Sequence, residues 1–173
     1  MKRHVVLIGL PGSGKTTVGR LVAEQLHAGF VDIDGVILRR EGKPIAMIFA
    51  EKGEAAFRAL EQKEMATALG SETPALIASG GGWAAQPGAV PEAKARALIV
   101  YLRTRPETCS QRAEPQGTRP LLMGEDPVAL MRQLSKERGP AYQQADETVD
   151  TDRKTAVQVA AEVVRLAQKA AGW

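Results

Sequence analysis

The sequence is poor in several features that whole functional classes depend on. Cys109 is the only cysteine among 173 residues, so an internal disulfide is excluded and a reducing compartment is favoured. Three Phe, two Trp and two Tyr are the only aromatic residues, and the net charge is only +3. No basic run with interleaved aromatic residues occurs, which argues against nucleic-acid binding. No apolar stretch reaches eighteen residues, so no membrane span is expected.

What remains is typical of a globular enzyme domain. Apolar residues make up 44% of the chain and charged residues 25%. We expect one domain over residues 1–173. A functional motif begins at residue 9, where a cleaved leader would remove it, so we expect a mature cytoplasmic protein. Nothing near Cys109 would lower the pKa of its thiol, so it is interpreted as an incidental helix residue. No apolar stripe is evident, and a monomer is expected.

Residues 9–16 read G-L-P-G-S-G-K-T, a complete phosphate-binding loop. An apolar run at 5–8 precedes the loop and a helical pattern follows it, as such a loop requires. Lys15 can then reach the β- and γ-phosphates of a nucleotide, and the Thr16 hydroxyl can ligate Mg²⁺. The alternative, a glycine-rich turn with a surface lysine, does not account for the flanking strand and helix.

Short apolar runs alternate with helical patterns along the chain. The runs predict strands at 5–8, 29–33, 75–79, 97–102 and 147–150. The helical patterns lie at 16–27, 54–69, 88–95, 106–113, 126–144 and 155–170. This order predicts an α/β fold with a parallel five-stranded sheet and helices on both faces. The polar, Pro- and Gly-rich segment 114–120 is interpreted as part of a mobile lid.

Two carboxylates close the second predicted strand. Strand alternation would place Asp32 and Asp34 on one side and Ile33 on the other. Beside a phosphate loop, one carboxylate can hold the waters of Mg²⁺ while the other accepts a proton from an attacking hydroxyl. The alternative is that Asp simply favours strand ends and helix caps. Three glycines at 80–82 follow the third strand and favour close approach of a ligand.

Arginines supply the candidate cations of the site. Arg58 and Glu61 are i,i+3 neighbours in a predicted helix, which permits two interpretations. They form an exposed ion pair of little consequence, or Glu61 orients a guanidinium that grips a substrate carboxylate. Arg119, in the breaker-rich segment, is the best candidate for a lid arginine. Arg132 is interpreted as a solvated helix residue.

Taken in order, these motifs resemble the shikimate kinase family, a group of small P-loop kinases. The resemblance rests on G-L-P-G-S-G-K-T (9–16), F-V-D-I-D (30–34), F-R-A-L-E (57–61), S-G-G-G (79–82), R-P-L-L (119–122) and E-R-G-P-A-Y-Q-Q-A-D (137–146). It implies a three-layer P-loop kinase fold with a substrate-binding helical segment at about 34–61 and a lid at about 113–125. It also implies Mg-ATP-dependent phosphorylation of the 3-hydroxyl of shikimate.

The resemblance also implies a role for each matching residue. ATP would be bound by Gly12, Ser13, Gly14, Lys15, Thr16, Thr17, Arg112 and Arg119. Magnesium would be held by Thr16 and, through water, by Asp32. Shikimate would be bound by Asp34, Arg58, Gly80, Gly81, Gly82 and Arg138. The catalytic residues would be Lys15, Asp34 and Arg119. Phe49 and Phe57 would form an apolar wall of the substrate pocket, unless they only pack in the core.

Two positions depart from the family pattern. Ala156 stands where a proline is frequent on the adenine side, and Trp83 follows the triple glycine where smaller residues are usual. Trp83 either covers that loop, which we favour, or packs over the substrate ring.

Two other functions compete with a shikimate kinase. A gluconate kinase would not explain F-R-A-L-E and R-P-L-L. A silent nucleotide-binding module would be expected to have lost Lys15, Asp34 or Arg119.

Overall fold

A parallel sheet of five strands forms the centre of the fold, with strand order β2-β3-β1-β4-β5. The strands are β1 (His4–Ile8), β2 (Gly29–Asp32), β3 (Ala75–Ala78), β4 (Ala97–Arg103) and β5 (Glu147–Asp150). The structure, a computed structural model, describes residues 1–113 and 126–173. Every residue of β1 and β3 is buried. Their continuous apolar runs are what a strand covered on both faces requires.

Helices cover both faces of the sheet, as predicted. They are α1 (Lys15–Leu26), α2 (Ile33–Glu41), α3 (Ile45–Lys52), α4 (Glu54–Gly70), α5 (Ala89–Ala93), α6 (Pro106–Ala113), α7 (Pro127–Tyr142) and α8 (Ala156–Ala170). A short 3-10 helix covers Trp83–Ala85. Val5 and Leu7 of β1 pack with α1 and α8, whereas Val6 and Ile8 pack with the remaining helices. The two-residue alternation of β1 therefore supplies both cores of a three-layer fold.

The segment that follows β2 differs from the pattern expected of the chain. Ile33 begins helix α2, so Asp34 lies in the first turn of a helix and not at the end of a strand. The alternation argument for Asp32 and Asp34 was therefore wrong. Two helices, α2 and α3, also occupy a stretch where the apolar pattern predicted no separate element. They are short because Gly42 ends α2 with a φ of 65° and Pro44 caps the start of α3.

The sheet brings the carboxyl ends of its middle strands to one edge. Leu7 of β1 is in register with Ala78 of β3, and Ala78 is in register with Asp32 of β2. Both the amide and the hydroxyl of Ser79 donate to the Leu7 carbonyl, at 3.2 and 3.0 Å. The phosphate loop, the glycine loop (residues 80–82) and Asp32 consequently lie side by side. Parallel α/β sheets bind their ligands at this edge.

Residues 114–125 fall outside the part of the chain that the structure describes. The predicted lid at about 113–125 therefore coincides with that part, except for Ala113 at the end of α6. Arg119 and the R-P-L-L motif lie there too, and their roles stay predictions. Among the helices of the described ranges, none has the length and apolar content needed to cross a bilayer.

Candidate active site

The phosphate loop joins β1 to α1 with the geometry that anion binding needs. Gly14 has a φ of 96°, a left-handed conformation that places the loop over the start of α1. Lys15 is 7% exposed, and its Nζ donates to the carbonyls of Gly9 and Leu10 at 2.7 and 2.9 Å. Ser13 Oγ is buried without a hydrogen-bond partner among the described residues. A buried ammonium and an orphaned hydroxyl at a helix N-terminus fit a nucleotide phosphate.

The predicted magnesium residues are neighbours in the structure. Thr16 Oγ1 donates to Asp32 Oδ2 at 3.3 Å. Within the described ranges no three His, Cys, Asp or Glu side chains cluster as a metal site. A single hydroxyl with a single carboxylate fits Mg²⁺, because this ion retains waters and takes most other ligands from substrate phosphates.

A cavity of about 680 Å³ lies beside the phosphate loop, within the range of small-molecule sites. The predicted site residues that line it are Thr16, Thr17, Asp32, Asp34, Arg58, Gly81, Gly82 and Arg138. Gly12, Ser13, Gly14 and Lys15 belong to the adjoining phosphate loop, and Gly80 precedes Gly81 but does not line the cavity itself. The structure therefore brings the predicted donor and acceptor groups to one place.

Asp34 faces this cavity from the first turn of α2. Ile33 before it is fully buried, which anchors the start of the helix. Although the strand argument for Asp34 failed, both carboxylates still line the same cavity.

Arg58 and Glu61 form the predicted pair, in which Glu61 is buried and Arg58 is partly buried. Arg58 Nη1 lies 3.2 Å from Glu61 Oε1, and the two side chains are 17% and 1% exposed. Arg58 Nη2 also lies 3.5 Å from Glu54 Oε1, on the solvent side. Burial excludes the solvated surface pair and supports the interpretation in which Glu61 orients the guanidinium. Arg58 itself lines the cavity.

The three glycines at 80–82 make room for side chains of the site. A Cβ on the first glycine would collide with the carboxylate of Glu61, and a Cβ on the third with the guanidinium of Arg58. A Cβ on the second would lie 3.1 Å from Nη1 of Arg138. The sequence interpretation was that a ligand needs these glycines. In the structure, the absence of side chains at these glycines leaves the space that the charged side chains around the cavity occupy.

Arg138 places a second guanidinium at the cavity. It extends from α7, is largely buried, and donates from Nη1 to the Gly81 carbonyl at 2.8 Å. The rings of Phe49 and Phe57, with centroids 4.7 Å apart, form the predicted apolar wall. The guanidiniums of Arg58 and Arg138, the carboxylate of Asp34 and this apolar wall together suit a small hydroxylated ring that carries a carboxylate.

Some predicted residues lie elsewhere. Arg112 is not part of the cavity, but a Cβ built on Gly14 would lie 3.9 Å from its Nη1, which places it beside the phosphate loop. Trp83 is 3% exposed and packs in the core, so it covers the loop instead of the substrate ring. Cys109 is buried, and burial raises the pKa of its thiol to about 11, as an incidental cysteine requires.

Sequence reasoning missed several residues at the site. Arg20, Met131 and Leu134 also line the cavity, and Tyr142 contacts it through the Gly81 carbonyl. Helical spacing held a signal for two of them. Arg20 lies four residues after Thr16 on α1, and Tyr142 lies four residues after Arg138 on α7, so each shares a face with a predicted residue.

Burial of Glu61 makes a prediction about stability and pH. Burial raises the pKa of Glu61 from its ordinary 4.5, against the lowering effect of Arg58, and Asp34 raises it further. Between pH 4.5 and that raised pKa, the folded protein binds more protons than the unfolded chain, so the free energy of unfolding falls as pH rises. We expect Glu61→Gln to flatten this fall, measured by urea unfolding from about pH 4.5 to pH 7.

A matched control is Glu54→Gln, which alters the exposed carboxylate beside the same arginine. Its pH slope should equal that of the parent protein. An unchanged slope in Glu61→Gln would show that burial does not perturb Glu61.

Comparisons with known proteins agree with the geometry. The family profile for shikimate kinase matches residues 11–168. A shikimate kinase of Caldanaerobacter subterraneus is 38% identical over 98% of this chain and 99% of its own. The structure of a shikimate kinase from Acinetobacter baumannii in complex with shikimate superimposes with a TM-score of 0.92 at 35% identity, covering 98% of this chain and 94% of that one. A gluconokinase from Sinorhizobium meliloti has a TM-score of 0.61 at 17% identity, covering 99% and 94%, which shows a shared fold alone.

Proposed function

The chain belongs to the shikimate kinase family, and we propose that shikimate receives the γ-phosphoryl group of ATP in the cavity beside the phosphate loop. The enzyme is an ATP-dependent kinase whose products are shikimate 3-phosphate and ADP. One observation carries the assignment of the site. The guanidiniums of Arg58, which is partly buried, and Arg138, which is buried, line the same cavity as Asp34, next to the loop that holds Lys15.

The acceptor half positions the attacking hydroxyl. Arg58 and Arg138 bind the shikimate carboxylate, and the backbone at Gly81 and Gly82 contacts the ring. Asp34 hydrogen-bonds the 3-hydroxyl and accepts its proton as the hydroxyl oxygen bonds to the γ-phosphorus. The bond from the γ-phosphorus to the β–γ bridging oxygen breaks, and ADP departs. Positioning and charge neutralisation supply most of the rate, so no protein nucleophile is required.

The donor half binds the nucleotide. Backbone N–H groups of Gly12 to Thr17 surround the phosphates, Lys15 reaches the β- and γ-oxygens, and Arg112 lies toward adenine. Thr16 and, through water, Asp32, which lie within hydrogen-bond distance of each other, would hold Mg²⁺, and the ion would neutralise charge on the phosphates. Arg119, outside the described residues, is proposed to close over the phosphates from a lid. We further propose a single-domain monomer.

The competing functions make different predictions. Gluconate also carries a carboxylate and hydroxyl groups, so the acceptor assay must separate it from shikimate, and the likeness to a gluconokinase, at 17% identity, extends only to the fold. A silent nucleotide-binding module would not need an arginine at the cavity that is paired with a buried Glu61.

The test is ADP release with Mg-ATP in the presence of shikimate, gluconate or a nucleoside monophosphate. We expect stimulation by shikimate alone, loss of that stimulation when EDTA removes Mg²⁺, and little stimulation by the methyl ester of shikimate. ADP release independent of the acceptor would contradict the proposal. Equal rates with shikimate and its methyl ester would contradict the two-arginine clamp in particular.

A further inference from the structure

Tyr142 is a buried side chain that none of the roles above uses. It ends α7 and is 1% exposed. Its hydroxyl donates to the carbonyl oxygen of Gly81 at 2.9 Å. Arg138 Nη1 donates to the same oxygen at 2.8 Å. A carbonyl oxygen has two lone pairs, so these two donors together satisfy it.

We propose that Tyr142 is a positioning residue for shikimate binding, which holds the Gly81 carbonyl where it orients the guanidinium of Arg138. The inference rests on the proposed function, because it takes Arg138 to bind the substrate carboxylate. Arg138 carries five N–H donors in a planar fork, so one fixed bond to Gly81 sets the direction of the others. The direction in which that fork meets a carboxylate therefore depends on how firmly the Gly81 carbonyl is held.

The surroundings of Tyr142 equip it to hold that carbonyl. Its ring stacks on Tyr101 of β4, with centroids 4.9 Å apart and planes at 24°. The sheet thus fixes the ring, and the ring fixes the hydroxyl. Burial raises the pKa of Tyr142 to about 12, so the hydroxyl stays protonated and donates throughout the working pH range. The side-chain donors to the Gly81 carbonyl among the described residues are Tyr142 and Arg138.

A purely structural role for Tyr142 predicts a different kinetic result. If Tyr142 only fills space in the core, its replacement lowers the free energy of unfolding and affects the KM values for shikimate and ATP alike. If Tyr142 is a positioning residue, its replacement raises the KM for shikimate, which Arg138 binds, and leaves the KM for ATP unaffected.

The experiment compares Tyr142→Phe with Tyr101→Phe, which also removes a tyrosine hydroxyl from the stacked pair but not one that contacts Gly81. Tyr101 lines a different cavity, on the β5 side of α7. For Tyr142→Phe we expect the KM for shikimate to rise about three- to tenfold, the value of one hydrogen bond, with kcat and the KM for ATP nearly unchanged. Tyr101→Phe should change none of the three. An unchanged shikimate KM in Tyr142→Phe, or an equal rise in both KM values, would overturn the proposal.

A double-mutant cycle with Arg138→Lys tests whether Tyr142 acts through Arg138. If it does, Tyr142→Phe raises the shikimate KM in the parent but adds little once Arg138 is lysine. Full additivity overturns the positioning role. If Arg138→Lys alone leaves the shikimate KM unchanged, the proposed role of Arg138 fails and the inference fails with it. A large effect of Arg138→Lys beside none of Tyr142→Phe rejects the inference alone.

If Tyr142→Phe does not fold, 3-fluorotyrosine in place of Tyr142 tests the same bond. It keeps the ring and the hydroxyl but makes the hydroxyl a stronger donor. A shifted shikimate KM at constant ATP KM supports the proposal, and no shift in either overturns it.

Discussion

Asp34→Asn is expected to lower kcat by about 10²–10³-fold, the usual cost of removing a positioned acid–base group, while ATP still binds. The amide has nearly the shape of the carboxylate but cannot accept the proton of the attacking hydroxyl. Asp34 lines the cavity from the first turn of α2, apart from the loop that binds phosphate, so ATP affinity should be nearly unchanged. Steady-state kinetics with shikimate, and ATP titration followed by calorimetry, measure the two effects separately.

Glu41→Gln provides the control, since Glu41 ends the same helix and pairs with Lys52 away from the cavity. It should retain the kcat of the parent. Unchanged turnover in Asp34→Asn would remove Asp34 from the chemistry. A parallel loss of ATP binding would assign it to the donor half instead.

Arg58→Ala should raise the KM for shikimate by about 10- to 100-fold, as expected when a charged hydrogen-bonding partner is lost, with a much smaller change in the KM for ATP. The substitution also leaves the buried Glu61 without its cation, so a loss of thermal stability should accompany the kinetic effect. Arg58→Lys should recover only part of the affinity, because an ammonium lacks the planar fork that grips a carboxylate.

Arg132→Ala is the matched control for this prediction. Arg132 is also a helix arginine with a carboxylate partner, Glu107, but its side chain is 64% exposed. Its removal should leave both KM values close to those of the parent. If Arg58→Ala raised the two KM values equally, a carboxylate clamp at Arg58 would be ruled out.

The sequence was most informative where structure is local. All five strands were predicted because each is a short apolar or β-branched run between breakers. The helices α2 and α3 were not predicted as elements from the apolar pattern, because each is less than three turns long and breakers separate them. Only the family resemblance indicated a helical segment there. Asp34 does line the cavity, but the strand alternation from which this was predicted does not exist, because Asp34 lies in a helix.

The same limit applies to the site. The phosphate loop and the Arg58–Glu61 pair are local, so spacing predicted them, although spacing could not predict that Glu61 is buried. The contacts of the glycine loop are not local. Arg138 and Tyr142 lie 57 and 61 residues from the carbonyl they share. No periodicity links such positions, and only the packing of α7 against the loop brings them together.

The adjacency of β1 and β3 has a consequence for redesign. The phosphate loop leaves one of these strands and the glycine loop leaves the other, and hydrogen bonds from the amide and the hydroxyl of Ser79 to the Leu7 carbonyl join them at their ends. The distance between donor and acceptor is therefore set by a hydrogen-bonded ladder, whereas the outer walls of the acceptor cavity come from α2, α3, α4 and α7. Substitutions in those helices that adapt the cavity to another alcohol can therefore leave the distance between phosphate donor and acceptor unchanged.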